Sequence, residues 1–138
     1  MQIRLMEEEK ISAYLEFWRR IPGMGLNDYD DSEEGLRRFL RRNPKTAFAV
    51  WEGDALLGTI LAGHDGRRGF IYHTAVTPTS RGMGIGKSLV TAVMEALRAE
   101  GIQKAALVVF RDNGEGNAFW EKLGFTTRED LVYRNRMV

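Results

Sequence analysis

The sequence of 138 residues contains no cysteine, only three prolines and two histidines, and its formal net charge is +1. Without cysteine, disulfide bonds, thiolate metal sites and a cysteine nucleophile are excluded, and a reducing cytoplasm is favoured. The near-neutral charge provides no overall attraction to nucleic acid, so a nucleic-acid partner is not expected. No metal site is predicted either.

Long apolar runs are also missing. The first ten residues, MQIRLMEEEK, have no apolar core of the kind found in signal peptides. No run approaches the roughly 18 apolar residues of a membrane span, so no membrane partner is expected. Hydrophobic residues make up 43% of the chain, which is typical of a globular protein, and no repeat or linker interrupts it. The sequence therefore predicts one domain over residues 1–138.

The most informative stretch runs from Phe70 to Gly101 and combines a strand, a glycine-rich loop and a helix. Phe70 to Val76 is rich in β-branched and aromatic residues, which favour a strand, and Pro78 then ends it. Apolar residues recur every fourth position along the following helix, at Ile85, Leu89, Val93 and Leu97.

The loop between this strand and helix, Arg81 to Lys87, has the features of an anion-binding site. It contains glycine at every second position, and a basic residue stands at each end. The first N–H groups of a helix have no partner within the helix, and glycine lets a phosphate approach them closely. The alternative is a flexible turn, but the flanking strand, cations and long helix favour phosphate binding.

Two common phosphate-binding loops do not fit this stretch. A Walker loop would need glycine at Arg81, and a Rossmann loop would need glycine at Lys87. The pattern that fits is Arg/Gln-x-x-Gly-x-Gly/Ala, read as Arg81-Gly82-Met83-Gly84-Ile85-Gly86. This pattern resembles the coenzyme A pyrophosphate loop of the GNAT superfamily of N-acetyltransferases.

The elements predicted along the chain follow the order β-α-α-β-β-β-α-β-α-β-β, an α/β class with a mixed α+β sheet. This order resembles the GNAT acyl-CoA N-acyltransferase fold over essentially the whole chain. The segments are strands at 2–6, 46–52, 55–64, 70–76 and 105–110, helices at 7–20, 33–42, 85–100 and 117–123, and a final hairpin from 125 that includes 131–137.

A second motif strengthens the resemblance. The run from Asn113 to Phe125, NGEGNAFWEKLGF, is similar to the family segment Asn-x-x-Ala-x-x-x-Tyr-Glu-Lys-Leu-Gly-Phe. The two motifs together predict an acetyl-CoA-dependent N-acetyltransferase that acts on a primary amine.

The resemblance implies where acetyl-CoA binds. The strand up to Val76 would pair with the pantetheine arm, the Val76 N–H would stabilise the oxyanion, and the loop from Gly82 to Lys87 would surround the pyrophosphate. The residues that it assigns to the cofactor are Thr74, Ala75, Val76, Arg81, Gly82, Met83, Gly84, Ile85, Gly86, Lys87, Ser88, Asn113 and Trp120.

The catalytic part of the resemblance is incomplete. The family tyrosine that often protonates the departing thiolate is replaced by Trp120, whose indole N–H is not a useful acid. Relatives often carry a glutamate that acts as the general base at one of two positions, which in this chain are occupied by Phe70 and Val108. A CoA-binding regulatory or interaction module without turnover is therefore the alternative function.

Histidine needs the smallest change in pKa to act as a base near neutral pH, so His73 is a predicted catalytic residue. Tyr72, its neighbour on the same strand, is the competing prediction. Strand alternation places His73 on the face opposite Val76, so it reaches the thioester only if a bulge or the family's strand splay turns it. Tyr72 shares the face of Val76. Other candidates are His64, Asp65, and the acids of the 28–33 loop, including Asp28, Asp30 and Glu33. A further alternative is proton loss to water with no dedicated base.

The acceptor is not identified by the sequence. Acidic residues between the first two helices, where relatives form their acceptor site, suit a cationic amine or simply cap the second helix through Asp31-x-x-Glu34. Asp28, Tyr29 and Asp30 are the predicted substrate residues. The oligomeric state is left open, with a homodimer as one alternative.

Overall fold

The computed structural model describes residues 1–138, and a five-stranded mixed sheet organises it. The chain forms two compact units, residues 1–107 and residues 108–138, which are described separately below. The single domain predicted from the sequence stays a prediction. The strands are β1 (Gln2–Leu5), β2 (Phe48–Glu52), β3 (Ala55–His64), β4 (Gly69–Val76) and β5 (Ala105–Ala106), and the helices are α1 (Ile11–Arg20), α2 (Glu33–Arg42), α3 (Ile85–Ala99) and α4 (Gly114–Lys122).

The strands lie in the order in which they occur in the chain, β1-β2-β3-β4-β5. The first four are antiparallel. Short turns join β2 to β3 and β3 to β4, whereas α1 and α2 lie between β1 and β2 along the chain. β5 follows α3 and pairs parallel to β4, as expected for a strand–helix–strand crossover. The predicted α/β class with a mixed sheet is therefore confirmed.

α1 and α2 cover one face of the sheet and form the main hydrophobic core with it. Their buried residues Leu15, Trp18, Leu36 and Leu40 belong to the same cluster as Leu61 of β3. The predicted helix over 7–20 is interrupted, since Glu8–Lys10 forms a 3₁₀ turn before α1.

α3 packs against the opposite face of the sheet. A Cβ atom added to Gly58 of β3 would lie 3.2 Å from Ile85 and 3.3 Å from Leu89, so glycine permits this close approach. Val76 pairs with Gly58 across the sheet and therefore shares the α3 face.

The start of α2 differs from the predicted capping box. Ser32, and not Asp31, is the N-cap, and its hydroxyl accepts a 3.0 Å hydrogen bond from the Gly35 N–H. The prediction of Asp31-x-x-Glu34 as the cap is wrong because the Asp31 carboxylate is used in a contact with β4.

The fifth strand is much shorter than predicted. Pairing with β4 ends after Phe70 and Ala106, whereas the apolar run predicted a strand over residues 105–110. Val108 and Phe110 are exposed, so the expectation of a central strand covered on both faces is wrong for this segment. An apolar run predicts a strand only where neighbouring strands can pair with it.

The second unit contains α4 and an irregular C-terminal segment. α4 begins earlier than the predicted Asn117 because the Asn113 side-chain oxygen caps it, accepting a 2.9 Å bond from the Gly116 N–H. No strand forms after α4, so the predicted final hairpin is wrong. Val132 is 76% exposed, and no Asn-Gly or Asp-Gly turn lies between residues 125 and 131 to join two strands.

No helix of the molecule is both long and apolar enough to cross a lipid bilayer.

A buried hydrogen bond links α1 to the sheet: the Trp18 indole N–H donates to the Thr59 hydroxyl at 2.8 Å. We expect Thr59→Val to lower the free energy of unfolding by about 1–3 kcal/mol, because the fully buried indole N–H loses its acceptor. Thr91→Val is the matched control, since this threonine is exposed on α3, and its effect should stay within about 0.5 kcal/mol. Equal denaturation midpoints for the two variants would contradict this prediction.

Candidate functional site

The loop that precedes α3 has the geometry of an anion-binding site. Gly84 is the N-cap of α3 and contributes no side-chain hydrogen bond, so the N–H groups of the first turn have no capping acceptor. The first helical bond is donated by the Ser88 N–H to the Gly84 carbonyl at 3.0 Å. Lys87 lies in this first turn, and Arg81 precedes it, so positive charge surrounds these N–H groups.

Two glycines of this loop are required by the backbone. Gly82 and Gly84 both have φ of 81°, a left-handed conformation that other residues adopt only with strain. A Cβ atom at either position would meet nothing within 4 Å, so these glycines face open space in front of the helix terminus. The loop can therefore bring its backbone close to a ligand.

The edge of β4 beside this loop is open. β5 pairs with β4 only at Gly69 and Phe70, so no strand lies along the same side from Ile71 to Val76. At its end, the Val76 carbonyl accepts a 3.3 Å bond from Arg81 Nε, which ties the loop to the strand. An extended ligand can pair with the free edge as an additional strand would.

A β-bulge in β4 determines where the predicted catalytic residues point. Ile60 pairs with Thr74 and Ala62 pairs with Ile71, so Tyr72 and His73 together lie opposite the single residue between them on β3. The prediction that Tyr72 shares the face of Val76 is therefore wrong. Both side chains lie on the face covered by α1 and α2.

Ring contacts confirm this placement of the two side chains. The Tyr72 ring packs edge-on against Phe39 of α2, with ring centroids 5.8 Å apart. The His73 ring packs against Trp18 of α1, with centroids 4.8 Å apart. The bulge thus places two consecutive polar aromatic side chains on one face of the sheet.

His73 forms the shortest polar contact of the site. Its Nε2 lies 2.6 Å from Asp31 Oδ1, and the side chains are only 14% and 6% exposed, respectively. The other carboxylate oxygen accepts a 2.9 Å bond from the Asn27 N–H. Since an ionised carboxylate can only accept, Nε2 is the donor in this contact, and in the neutral imidazole Nδ1 is then the acceptor nitrogen.

The loop that holds Asp31 is braced by its own hydrogen bonds and by α2. The Asp30 N–H donates to the Asn27 side-chain oxygen at 2.7 Å, and the Asp31 N–H donates to the Asn27 carbonyl at 3.1 Å. A Cβ atom at Gly35 would lie 2.8 Å from the Tyr29 carbonyl, so the loop backbone rests directly on the helix. The predicted substrate residues Asp28, Tyr29 and Asp30 are exposed on this loop.

Asp31 itself was not among the individual acids singled out from the sequence, where it was assigned to the helix cap. Its neighbours suggested an acidic loop, but the partner is 42 positions away along the chain. No local pattern could have found that contact.

The remaining candidate bases have structural roles. His64 Nε2 lies 3.4 Å from Glu100, and its Nδ1 accepts from the Gly66 N–H. Asp65 accepts bonds from the Arg68 and Arg67 N–H groups in the same turn, and these bonds lower the pKa of its carboxyl. Glu33 accepts a 2.9 Å bond from the Ser12 hydroxyl.

Two cofactor residues predicted from the resemblance lie in the second unit. The Asn113 side-chain oxygen is engaged as the cap of α4. Trp120 is mostly buried, and its ring packs edge-on against Phe119 and Phe125, with centroids 5.0 and 5.2 Å apart. Within this unit the indole is a packing element. No group of three or more His, Asp or Glu side chains in the molecule is arranged to hold a metal ion.

Comparison with known proteins identifies this arrangement as that of an acyltransferase. A sequence model described as the acetyltransferase (GNAT) family matches residues 9–125. The chain therefore belongs to the GNAT acetyltransferase family, and the predictions of an acyltransferase with acetyl-CoA as cosubstrate are confirmed.

Curated relatives match over nearly their whole length. An acetyltransferase from Photorhabdus laumondii is 30% identical over 140 residues, covering all of this chain and 96% of the relative. An acetyltransferase from Pectobacterium atrosepticum is 28% identical over 138 residues, with the same coverage of each chain.

Solved structures confirm the fold. The aminoglycoside acetyltransferase AAC(6')-Iy, in complex with a bisubstrate analogue, aligns with a TM-score of 0.78 at 18% identity, covering 99% of this chain and 98% of that one. A predicted acetyltransferase from Clostridium acetobutylicum, solved with acetyl-CoA, aligns with a TM-score of 0.75 at 21% identity, covering 97% and 95%. At such identities the likeness concerns the fold.

We expect acetyl-CoA to raise the thermal stability of the protein through the loop from Gly82 to Lys87. At a ligand concentration 100 times Kd, the free energy of unfolding should rise by about 2.7 kcal/mol. Gly84→Val should abolish the increase, because a branched side chain at φ 81° strains the loop and occupies the open space before the helix.

Gly53→Val is the matched control for that experiment. Gly53 also has positive φ, 58°, and open surroundings, but it lies in the β2–β3 turn. Both variants should lose intrinsic stability, and only the loop variant should lose the ligand-induced shift. A full shift in Gly84→Val, measured by differential scanning fluorimetry, would refute the assignment of the loop.

Trp120→Phe should keep most of the turnover, because phenylalanine preserves packing against Phe119 and Phe125. Loss of a true general acid typically costs 10²-fold or more in rate. Steady-state release of free CoA thiol measures the difference, and circular dichroism checks folding. A hundred-fold fall in kcat with intact folding would show that the indole has a chemical role.

Proposed function

We propose that this protein transfers the acetyl group of acetyl-CoA to a primary amine of a small molecule or protein, with His73 as the general base. The observation that carries this proposal is the 2.6 Å contact between His73 and Asp31, in the bulge next to the open edge of β4. Asp31 is the positioning residue that orients the imidazole.

The cofactor would lie along the open edge of β4. Its pyrophosphate would bind the first N–H groups of α3 together with Arg81 and Lys87, since anions are stabilised at helix N-termini. The pantetheine arm would pair with residues 74–76, and the Val76 N–H would donate to the thioester oxygen as charge develops on it. His73 is three residues before Val76 on the same strand.

The reaction requires a neutral amine. An acceptor ammonium with a pKa near 10 transfers its proton, directly or through one water, to the Nδ1 lone pair of His73. The amine nitrogen then attacks the thioester carbon, and the carbon–sulfur bond breaks as the oxyanion collapses. The nitrogen loses its second proton to water or to the departing thiolate, which leaves the neutral amide. The Asp31 carboxylate stabilises the imidazolium through its bond to Nε2.

The CoA thiolate leaves without help from Trp120, because an indole N–H is not a useful acid. A thiolate is already a fair leaving group, so most of the rate comes from positioning and the oxyanion contact.

A second candidate function is a CoA-binding module without turnover, and the packed Trp120 in place of an acidic tyrosine is the observation that favours it. The two functions differ in one measurement. Free CoA thiol should accumulate when acetyl-CoA and a panel of primary amines are supplied, whereas a binding module would show a thermal shift but no thiol.

We expect His73→Ala to lower kcat/KM by about 10²-fold and to remove the acid limb of the pH–rate profile, since that limb reports protonation of the base. Asp31→Asn should lower kcat less than His73→Ala does, because the imidazole remains but loses the carboxylate that orients it. His64→Ala is the matched control and should keep the wild-type profile.

The variant Tyr72→Phe tests whether Tyr72, and not His73, is the general base. If His73→Ala retains the wild-type rate and acid limb while Tyr72→Phe loses them, the assignment of His73 is wrong. If both variants retain them, the base is neither strand residue, and the acids of the 28–33 loop become the candidates.

A further inference from the structure

An aromatic patch lies beside the His73–Asp31 pair, formed by Phe39, Phe70 and Tyr72. The Tyr72 ring is 4.7 Å from Phe70 and 5.8 Å from Phe39, measured between centroids. Tyr72 is nevertheless 50% exposed, so much of its surface is open to solvent. The bulge that turns His73 toward α1 and α2 also turns this ring to the same face.

Tyr29 lies on the loop whose backbone packs against the first turn of α2. Its carbonyl lies against Gly35, and Phe39 stands one turn further along the same side of the helix. Tyr29 is 56% exposed and lies two residues before Asp31, the partner of His73. Of the two solvent-facing tyrosines, Tyr72 therefore adjoins the proposed base, and Tyr29 lies on the loop that carries its partner Asp31.

Arginines lie on α2 and in the β3–β4 turn near the patch, but two carboxylates of the loop before α2 have no cationic partner. Neither Asp28 nor Asp30 forms an ion pair with lysine or arginine, whereas Glu34 on the next helix lies 3.9 Å from Arg38. A cationic ligand approaching the base thus passes unneutralised carboxylates. Aromatic ring faces attract ammonium groups as well as other rings.

Building on the proposed function, we infer that the acceptor is a small arylalkylamine, a primary amine carried on a short chain from an aromatic ring. Its ring packs against Tyr72, and its amine lies at His73. Asp28 and Asp30 favour the ammonium form on approach. A polyamine or an amino sugar has ammonium groups that the carboxylates attract, but it has no aromatic ring to pack against the patch.

The test compares two acceptors that differ only in the ring. 2-Phenylethylamine and 2-cyclohexylethylamine share the amine and the spacer, and only the first has an aromatic face. With CoA thiol release as the readout, kcat/KM should be about 5-fold higher for the aromatic amine, and higher than for spermidine. Tyr72→Leu should reduce that ratio to near one, and Tyr72→Phe should keep it.

Tyr133→Leu is the matched control, since this tyrosine is also exposed but belongs to the second unit, and it should leave the ratio unchanged. Exchanging both Asp28 and Asp30 for asparagine should raise KM for the two amines equally. The exchange removes the two carboxylate charges and leaves the aromatic side chains of the patch unchanged. A wild-type ratio near one, a preference for spermidine, or an unchanged ratio in Tyr72→Leu would overturn the inference. Absence of thiol release with every amine would instead refute the proposed function.

Discussion

The hydrogen bond between His73 and Asp31 is the interaction on which the site depends. It joins the central sheet to the loop between α1 and α2 across 42 residues of sequence, and it is nearly sealed from solvent. The Asn27 N–H holds one carboxylate oxygen, so the other has a defined direction. The imidazole therefore has one tautomer and one orientation, as a general base requires. The Trp18 ring restrains it from the α1 side.

The half of the site proposed for acetyl-CoA is built differently, mainly from backbone. Gly82 and Gly84 place the loop in a left-handed conformation, and the N-terminus of α3 then presents N–H groups with no side-chain cap. The two halves meet on β4, whose open edge would face the cofactor and whose bulged residues face the helices. One strand thereby serves both substrates of the proposed transfer.

Several features could be predicted because they depend on residues that are close together in the sequence. The four central segments, α2, β3, β4 and α3, follow from apolar periodicity and turn residues, and the phosphate loop follows from its glycine spacing. The pairing of Asp31 with His73 was not predictable, since Asp31 also satisfied the local pattern of a helix cap. The C-terminal hairpin was predicted wrongly because alternation indicates a strand only if a partner and a turn are present.

The sequence by itself determined the family, the element order of the first unit and the glycine loop, because each depends on neighbouring residues. The faces of Tyr72 and His73 were decided only by the tertiary structure. Two residues of β4 oppose one residue of β3, and this mismatch arises from the pairing of strands and not from either strand alone. The same extra residue brought a histidine to a distant aspartate and an aromatic ring to α2, and so created the candidate acceptor site.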